Sequence, residues 1–166
     1  FDKVFDCFRI ALEYDPNSEE ALHKICFWAE FTGRMEESIR LHNIIVNDFP
    51  FNELAWFNLG SAFQELKLYE KSVDAYKYAI AIRDNFESAY RNMADAYIRM
   101  KNYQAAIETL QRHQEIAKPD DVIFEAIGYC YEKQKKFDQA RYHYRKAYHI
   151  NPDDDRLYFR VGRTYM

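Results

Sequence analysis

A 34-residue period is the feature that most constrains how this 166-residue chain can fold. Five positions spaced 34 residues apart carry large apolar side chains: Leu22, Trp56, Tyr90, Phe124 and Tyr158. The residue three positions later is apolar, the next one is small, and the residue seven positions later is aromatic in most copies. These intervals place all four positions on one face of a helix. Repetition at this interval indicates stacked helical units, because one unit cannot bury its apolar face alone.

Each unit contains a second helical group after the first. It opens with an apolar residue and continues at a spacing of three and four residues, beginning at Phe1, Met35, Tyr69, Tyr103 and Phe137. We therefore predict a first helix, a short turn and a second helix in each unit. The small residues of the first helix, such as Gly60 and Gly128, should let it approach its neighbour closely.

Polar residues mark the predicted starts of the first helices. Ser18, Asn52, Asp120 and Asp154 stand where an N-cap side chain would accept a backbone hydrogen bond, whereas Phe86 occupies the remaining copy of this position. Prolines follow the second helices and should stop them. The polar residues at helix starts and the prolines after second helices thus mark the same unit limits as the 34-residue period.

The repeated residues identify a resemblance to a known family. The chain resembles the tetratricopeptide repeat (TPR) in Asn58-Leu59-Gly60-Ser61-Ala62-Phe63 and Tyr69-Glu70-Lys71-Ser72, and in Ile127-Gly128-Tyr129-Cys130-Tyr131 and Phe137-Asp138-Gln139-Ala140. The resemblance implies an all-α, right-handed superhelical solenoid of antiparallel helix pairs, with about ten helices here.

We predict one TPR array over residues 1–166. Its complete repeats are 19–52, 53–86, 87–120 and 121–154, while 1–18 is the second helix and 155–166 the first helix of incomplete repeats. Neither end carries a polar capping helix, so we expect a fragment of a longer array that lacks the native N-terminus. The apolar stripes at the ends, Phe1, Val4, Phe5 and Phe8 and then Tyr158, Val161 and Tyr165, could alternatively pair between chains.

The resemblance also implies a binding surface. TPR arrays bind extended or helical peptides on a concave face lined by first helices, and the residues predicted to line it here are Phe27, Phe57, Asn58, Ser61, Arg91, Asn92, Asp95, Tyr129, Lys133, Arg156, Phe159, Arg160 and Arg163. The four aromatic rings are either exposed anchors or folded against neighbouring first helices. The three final arginines either receive an acidic peptide or form a solvated face beside Asp153, Asp154 and Asp155.

Some TPR domains bind chaperone tails through a two-carboxylate clamp, which needs Lys, Asn and Arg at set places on three first helices. No such set is complete here. The nearest combines Arg91, Asp95, Ala126, Arg156 and Arg160, and Asp95 would repel a carboxylate. We predict no clamp of that type.

The sequence predicts no catalytic, cofactor or metal site. It has no glycine-rich phosphate loop, no CxxC and no HExxH, so we expect a chain that is not an enzyme. The net charge of −4 argues against nucleic acid as a partner, and no apolar run reaches the roughly 18 residues of a membrane span. Three scattered cysteines favour a reducing compartment, and we expect a cytoplasmic location.

Three functions remain open at the level of sequence. The leading hypothesis is a non-catalytic scaffold that binds a protein or peptide segment in the concave groove. The second is a structural module that self-associates, as a homo-oligomer, through its terminal helices. The third is a regulatory or targeting TPR segment of a larger enzyme or RNA-processing protein, because fold alone does not settle function.

Overall fold

The computed structural model describes residues 2–165, except for the side chain of Asp2. Within this range it contains ten α-helices and no strand: α1 Asp2–Tyr14, α2 Glu19–Thr32, α3 Met35–Asp48, α4 Glu53–Glu65, α5 Tyr69–Ile82, α6 Glu87–Arg99, α7 Tyr103–Ile116, α8 Asp121–Lys133, α9 Phe137–Ile150 and α10 Asp155–Arg163. The predicted all-α fold of about ten helices is confirmed. The first helices of the pairs are α2, α4, α6, α8 and α10.

The chain forms two compact units, unit 1 (Phe1–Ala96) and unit 2 (Tyr97–Met166), and the division falls within α6. In unit 1, α2 packs against α1, α3 and α4, and α4 also packs against α3 and α5. In unit 2, α8 packs against α7 and α9, and α9 packs against α10. Short turns join packed neighbours, which makes consecutive helices antiparallel. The repeat limits and the single array stay predictions.

The predicted N-caps of four first helices are confirmed. The Ser18 hydroxyl accepts a hydrogen bond from the Ala21 amide, and the Asn52 side chain accepts one from Ala55 at 2.8 Å. Asp120 and Asp154 do the same for α8 and α10. Such caps satisfy amide groups that the first turn of a helix leaves without a partner.

The turns inside the repeats share one backbone conformation. One residue in the turn after each of these first helices is left-handed: Gly33, Lys67, Lys101 and Lys135, with φ of 70°, 60°, 60° and 61°. These positions are spaced 34 residues apart. The next amide donates back to a carbonyl five residues earlier each time, as Leu68 does to Phe63 at 2.8 Å. This closure satisfies carbonyls at the end of the first helix.

Glycines of the small-residue column sit against buried tyrosines. A Cβ atom placed on Gly60 would lie 2.7 Å from the ring of Tyr76, and one on Gly128 would lie 2.7 Å from the ring of Tyr144. Both tyrosines are fully buried. The expected close approach of first and second helices is confirmed here. At Gly162, by contrast, no atom of the described residues lies within 4 Å of such a Cβ atom.

The two predicted terminal stripes differ in exposure. In the first stripe Phe5 is fully buried in the core of unit 1, and the Arg34 guanidinium lies 4.1 Å from its ring centre. Phe1 lies outside the described residues. The expectation of a bare N-terminal stripe is therefore wrong at Phe5, because α2 and Arg34 cover it. In the last stripe Tyr158 and Tyr165 are exposed.

Candidate functional site

The first helices of unit 1 carry seven of the predicted binding residues. They lie on α2, on α4 and on α6 as far as Ala96, and are Phe27, Phe57, Asn58, Ser61, Arg91, Asn92 and Asp95. The structure gives them unequal exposure, from a largely exposed ring to a buried amide. They therefore cannot contribute equally to one surface.

Phe27 is the exposed aromatic ring of this set. It lies on α2, is 53% exposed and meets Trp28 edge-on with ring centroids 5.3 Å apart. One turn later Phe31 is 62% exposed and also meets Trp28 edge-on, at 5.9 Å. Trp28 is half-buried against the core of unit 1. Sequence reasoning missed Phe31, although its helical spacing of four from Phe27 was a usable signal.

Phe57 and Asn58 do not form an exposed edge. The Phe57 ring is half-buried against Tyr76 and Phe86, with centroids 5.7 and 4.8 Å away, so packing is observed of the two arrangements that the sequence leaves open. Phe86, which occupies the position of a polar N-cap in the other repeats, is itself buried. Asn58 is only 4% exposed, and its backbone carbonyl accepts a hydrogen bond from the Cys26 thiol at 3.8 Å.

A polar network joins several of the remaining residues around Tyr76. The Tyr76 hydroxyl lies 3.2 Å from the Ser61 hydroxyl and donates to the side-chain carbonyl of Gln64 at 3.2 Å. The side-chain amide of Gln64 in turn donates to Asp95 at 2.9 Å. Burial raises the pKa of Tyr76, and a hydrogen bond with Asn92 opposes this rise. The network links α4, α5 and α6 and ends on the Asp95 carboxylate. It is better suited to fixing the face of α4 than to proton transfer at neutral pH.

Carboxylates gather where α2 and α4 meet. Burial, followed by the nearby carboxylates of Glu30 and Glu65, raises the pKa of the Cys26 thiol to about 12. Both glutamates are exposed, and both act on this one thiol between the two helices. Cys26 is therefore protonated and unreactive at neutral pH.

The first helices of unit 2 carry the other predicted residues. Tyr129 is half-buried on α8 and meets Tyr103 edge-on at 6.4 Å. The Lys133 ammonium lies 5.1 Å from the Tyr129 ring centre, and the Arg160 guanidinium lies 6.0 Å from it. These cations stand over an aromatic face, which is a favourable arrangement. The structure thus brings Tyr129, Lys133 and Arg160 together.

The arginine stripe of α10 is paired within the chain. Arg160 forms an ion pair with Glu125 at 2.7 Å and Arg163 forms one with Glu132; both glutamates lie on α8. Arg156 forms an ion pair with Asp154 at 2.7 Å. Sequence reasoning named only nearby aspartates as partners and missed the two glutamates. Those ion pairs span about one repeat, so helical spacing within α10 gave no signal for them.

Glu132 also serves the buried Tyr144. The Tyr144 hydroxyl donates to Glu132 at 2.7 Å, and burial followed by this bond raises the Tyr144 pKa. Phe159 lies apart from the pairs and is 72% exposed, with Tyr158 6.2 Å away. The first helices of unit 2 therefore combine ion pairs within the chain with exposed rings at Tyr158 and Phe159.

Neither a metal centre nor a membrane span is found in the described part of the chain. Among residues 2–165, no three His, Cys, Asp or Glu side chains are grouped to hold a metal ion. Over the same range, no helix combines the length and apolar character needed to cross a bilayer.

Solved structures share this fold. The chain superposes on MamA with a TM-score of 0.79 and 24% identity, covering 94% of this chain and 91% of that one. It superposes on YrrB, described as a TPR protein with an unusual peptide-binding site, with a TM-score of 0.76 and 14% identity, covering 95% and 81%. These likenesses confirm the predicted all-α helical solenoid and define a helical-repeat protein of the TPR type.

Sequence comparison narrows this class to a family. The model of the tetratricopeptide repeat protein 21 C-terminal ARM domain matches residues 59–166, which is more than half of the chain, and the chain belongs to that family. Curated relatives include the peroxisomal targeting signal receptor of Kluyveromyces lactis, 26% identical over 66% of this chain, and the Hsp70-Hsp90 organising protein of Plasmodium falciparum, 28% identical over 48%. The matched parts are 13% and 15% of those proteins' lengths.

Proposed function

We propose that this chain is a non-catalytic protein-interaction scaffold whose first-helix faces bind a peptide or protein segment. The single observation that carries the proposal is the exposure of large aromatic rings on first helices, Phe27 in unit 1 and Phe159 in unit 2. Exposed aromatic side chains are favoured anchors of protein interfaces, because they bury a large area at little cost in conformational entropy.

The relatives support this choice of class. YrrB is described as having a peptide-binding site, and the curated relatives are described as a targeting-signal receptor and a chaperone organiser. Fold likeness alone does not transfer a ligand, so the proposal depends on the exposed rings of this chain.

A photo-crosslinking experiment tests the proposal. A photoreactive phenylalanine analogue replaces Phe27 or Phe159, and matched controls carry it at Tyr14 on α1 or Tyr142 on α9, which are exposed aromatics of second helices. After irradiation in extract of cells that express the chain, adducts to another protein should form at Phe27 or Phe159 and be weak at Tyr14 and Tyr142.

The crosslinked product separates the alternatives. Adducts confined to the second-helix positions would contradict binding on the first-helix faces. Adducts consisting of two copies of the chain would instead support self-association, the second function considered from the sequence. Adducts that form only when a covalently linked enzyme or RNA-processing domain is present would support the third.

We also propose a reducing location such as the cytoplasm. Cys7, Cys26 and Cys130 are all free thiols, which is the usual state of cysteines in that compartment. Fractionation of cells that express the tagged full-length protein tests this, and recovery from an oxidising compartment would contradict it.

A further inference from the structure

We propose that the first-helix face of unit 1 binds a positively charged segment of another protein, one that carries both basic and apolar side chains. The docking surface consists of Phe27, Phe31, Glu20 and Glu30 on α2 and Glu65 at the end of α4, and we name it the Phe27 surface. The inference rests on the proposed function and adds the chemistry of the partner to it.

The apolar part of the Phe27 surface is a pair of rings one helical turn apart. Phe27 and Phe31 are mostly exposed, and each meets Trp28 edge-on. Trp28 is itself packed against the core of unit 1. The rings are therefore held from beneath, and a partner that buries them loses little side-chain freedom on their side of the interface.

Carboxylates flank these rings. Glu20 lies two turns before Phe27 and Glu30 lies three residues after it, so both stand on the same side of α2, and both are exposed. Glu65 is the last residue of α4, which packs against α2, and its side chain is also exposed. Lys24 is the one basic side chain within α2.

Helix polarity adds to this negative charge. Glu30 and Glu65 lie in the last turns of α2 and α4, and neither of these last turns contains a basic residue. The carbonyl end of a helix carries a partial negative charge, which a cation at that place would stabilise. A basic partner side chain would supply the cation that both helix ends lack.

The acidic character extends along the first helices of unit 1. Within α2, α4 and α6 as far as Ala96 there are two basic residues, Lys24 and Arg91, against seven acidic ones: Glu19, Glu20, Glu30, Glu53, Glu65, Glu87 and Asp95. Unit 1 as a whole has 17 acidic and 10 basic residues, whereas unit 2 has 10 acidic and 13 basic residues.

The comparison with unit 2 shows why the partner of the Phe27 surface should be basic. On α8, Glu125 and Glu132 are neutralised by arginines of α10. Glu30 and Glu65 are exposed acids, Glu30 on the helix that carries the exposed rings and Glu65 at the end of the helix packed against it. A cation from a partner could pair with Glu30 while its alkyl chain lies on Phe27 or Phe31. Charge complementarity of this kind selects partners and raises association rates.

A peptide-selection experiment tests the inference. A display library of short peptides with unbiased composition is selected against the full chain, and the site of each enriched synthetic peptide is mapped by amide hydrogen exchange. Peptides that protect α2 and α4 should carry a net charge of about +2 or more together with Leu or an aromatic residue. Their affinity should fall at least tenfold, roughly, between about 50 mM and 300 mM NaCl.

Variants locate the contact within the full chain. Phe27→Ser combined with Phe31→Ser should weaken binding by about tenfold or more, and Glu30→Gln combined with Glu65→Gln by about three- to tenfold with a weaker dependence on salt. The matched controls Tyr14→Ser and Glu36→Gln with Glu70→Gln change exposed residues of second helices and should leave affinity within about twofold. Circular dichroism checks that each variant remains helical.

The outcomes are distinct. If peptides that protect α2 and α4 are neutral or acidic, or if only α8 and α10 are protected, the charge inference is overturned and the proposed function stands. If no peptide protects a first helix in either unit, both fail. If the chain self-associates and Glu30→Gln with Glu65→Gln abolishes that association, the occupant is a second copy and the inference is again overturned.

Discussion

At the scale of single residues, the same repeat position tolerates a methyl group in one helix and excludes it in another. Gly60 faces the buried ring of Tyr76, whose hydroxyl is held by Ser61 and Gln64, whereas no atom of residues 2–165 lies close to a Cβ position on Gly162. Glycine at a helix interior is otherwise unfavourable. Packing thus requires glycine at Gly60, as it does at Gly128, and does not require it at Gly162 among the described residues.

Alanine substitution should therefore act in opposite directions at the two positions. We expect Gly60→Ala to lower the free energy of unfolding by about 1–3 kcal/mol, because Tyr76 must shift. We expect Gly162→Ala to raise it by up to about 1 kcal/mol through helix propensity. Chemical denaturation of both variants measures this, and equal effects would contradict the packing argument.

His143 should make stability depend on pH. Burial, followed by the charge of Lys146, lowers its pKa from 6.5 to about 4, and its buried Nδ1 has no hydrogen-bond partner among residues 2–165. Between pH 4 and pH 6.5, His143 therefore binds a proton in the unfolded chain but not in the folded chain. The free energy of unfolding should therefore fall as the pH drops from 6.5 towards 4.

A phenylalanine at this position should reduce that dependence. His143 stacks on Tyr131 with centroids 5.4 Å apart, and His143→Phe preserves a ring there without a titrating group. Melting temperatures measured from pH 7.5 to pH 4 should fall less steeply for the variant than for the unaltered chain. Parallel curves would show that His143 does not cause the loss.

At the scale of elements, the turns between paired helices contain avoidable backbone strain. Lys67, Lys101 and Lys135 adopt the left-handed conformation that Gly33 adopts without a side-chain penalty. That conformation costs a residue with a Cβ atom roughly 1–2 kcal/mol in the folded chain. Replacing the lysine by glycine removes this cost but also raises the conformational entropy of the unfolded chain, which offsets part of the gain in stability. The net stabilisation from replacing one of these lysines by glycine should thus be well under roughly 2 kcal/mol.

Glycine should accordingly stabilise these turns. We expect each of Lys67→Gly, Lys101→Gly and Lys135→Gly to raise the free energy of unfolding by about 0.5 kcal/mol. Lys71→Gly is the matched control within helix α5 and should lower it by about 1 kcal/mol. Calorimetry measures both, and destabilisation by all four substitutions would contradict the role of the left-handed conformation.

The sequence predicted elements better than it predicted side-chain partners. Helix starts were visible because Ser18 and Asp154 cap locally, and glycine contacts were visible because Gly60 and Gly128 recur at the repeat period. Local spacing could not reveal the Arg160–Glu125 pair, since its residues lie on different helices. The left-handed lysines were also missed, because lysine has no preference for that conformation.

At the scale of the whole molecule, the division into two compact units implies that a substitution that destabilises one unit should change the stability of the other unit little. In repeat proteins stability is approximately a sum of terms for single repeats and their nearest neighbours. Leu22 is fully buried in unit 1, and Ile127 is fully buried in unit 2. Truncating either side chain removes buried apolar contacts in its own unit.

Hydrogen exchange should detect this locality. We expect Leu22→Ala to destabilise its surroundings by about 2–5 kcal/mol and to speed amide exchange in α1 to α4 much more than in α8 to α10. Ile127→Ala should show the reverse pattern. Uniform acceleration throughout the chain by either variant would indicate that the whole array unfolds as one cooperative body.

Both tryptophans of the chain, Trp28 and Trp56, belong to unit 1. Trp28 touches the two exposed rings of the Phe27 surface. The intrinsic fluorescence of the unlabelled protein is therefore a selective optical sensor: a molecule that settles on those rings would alter the emission, while events confined to unit 2 would leave it nearly unchanged. Titrations can consequently distinguish the two halves without any dye.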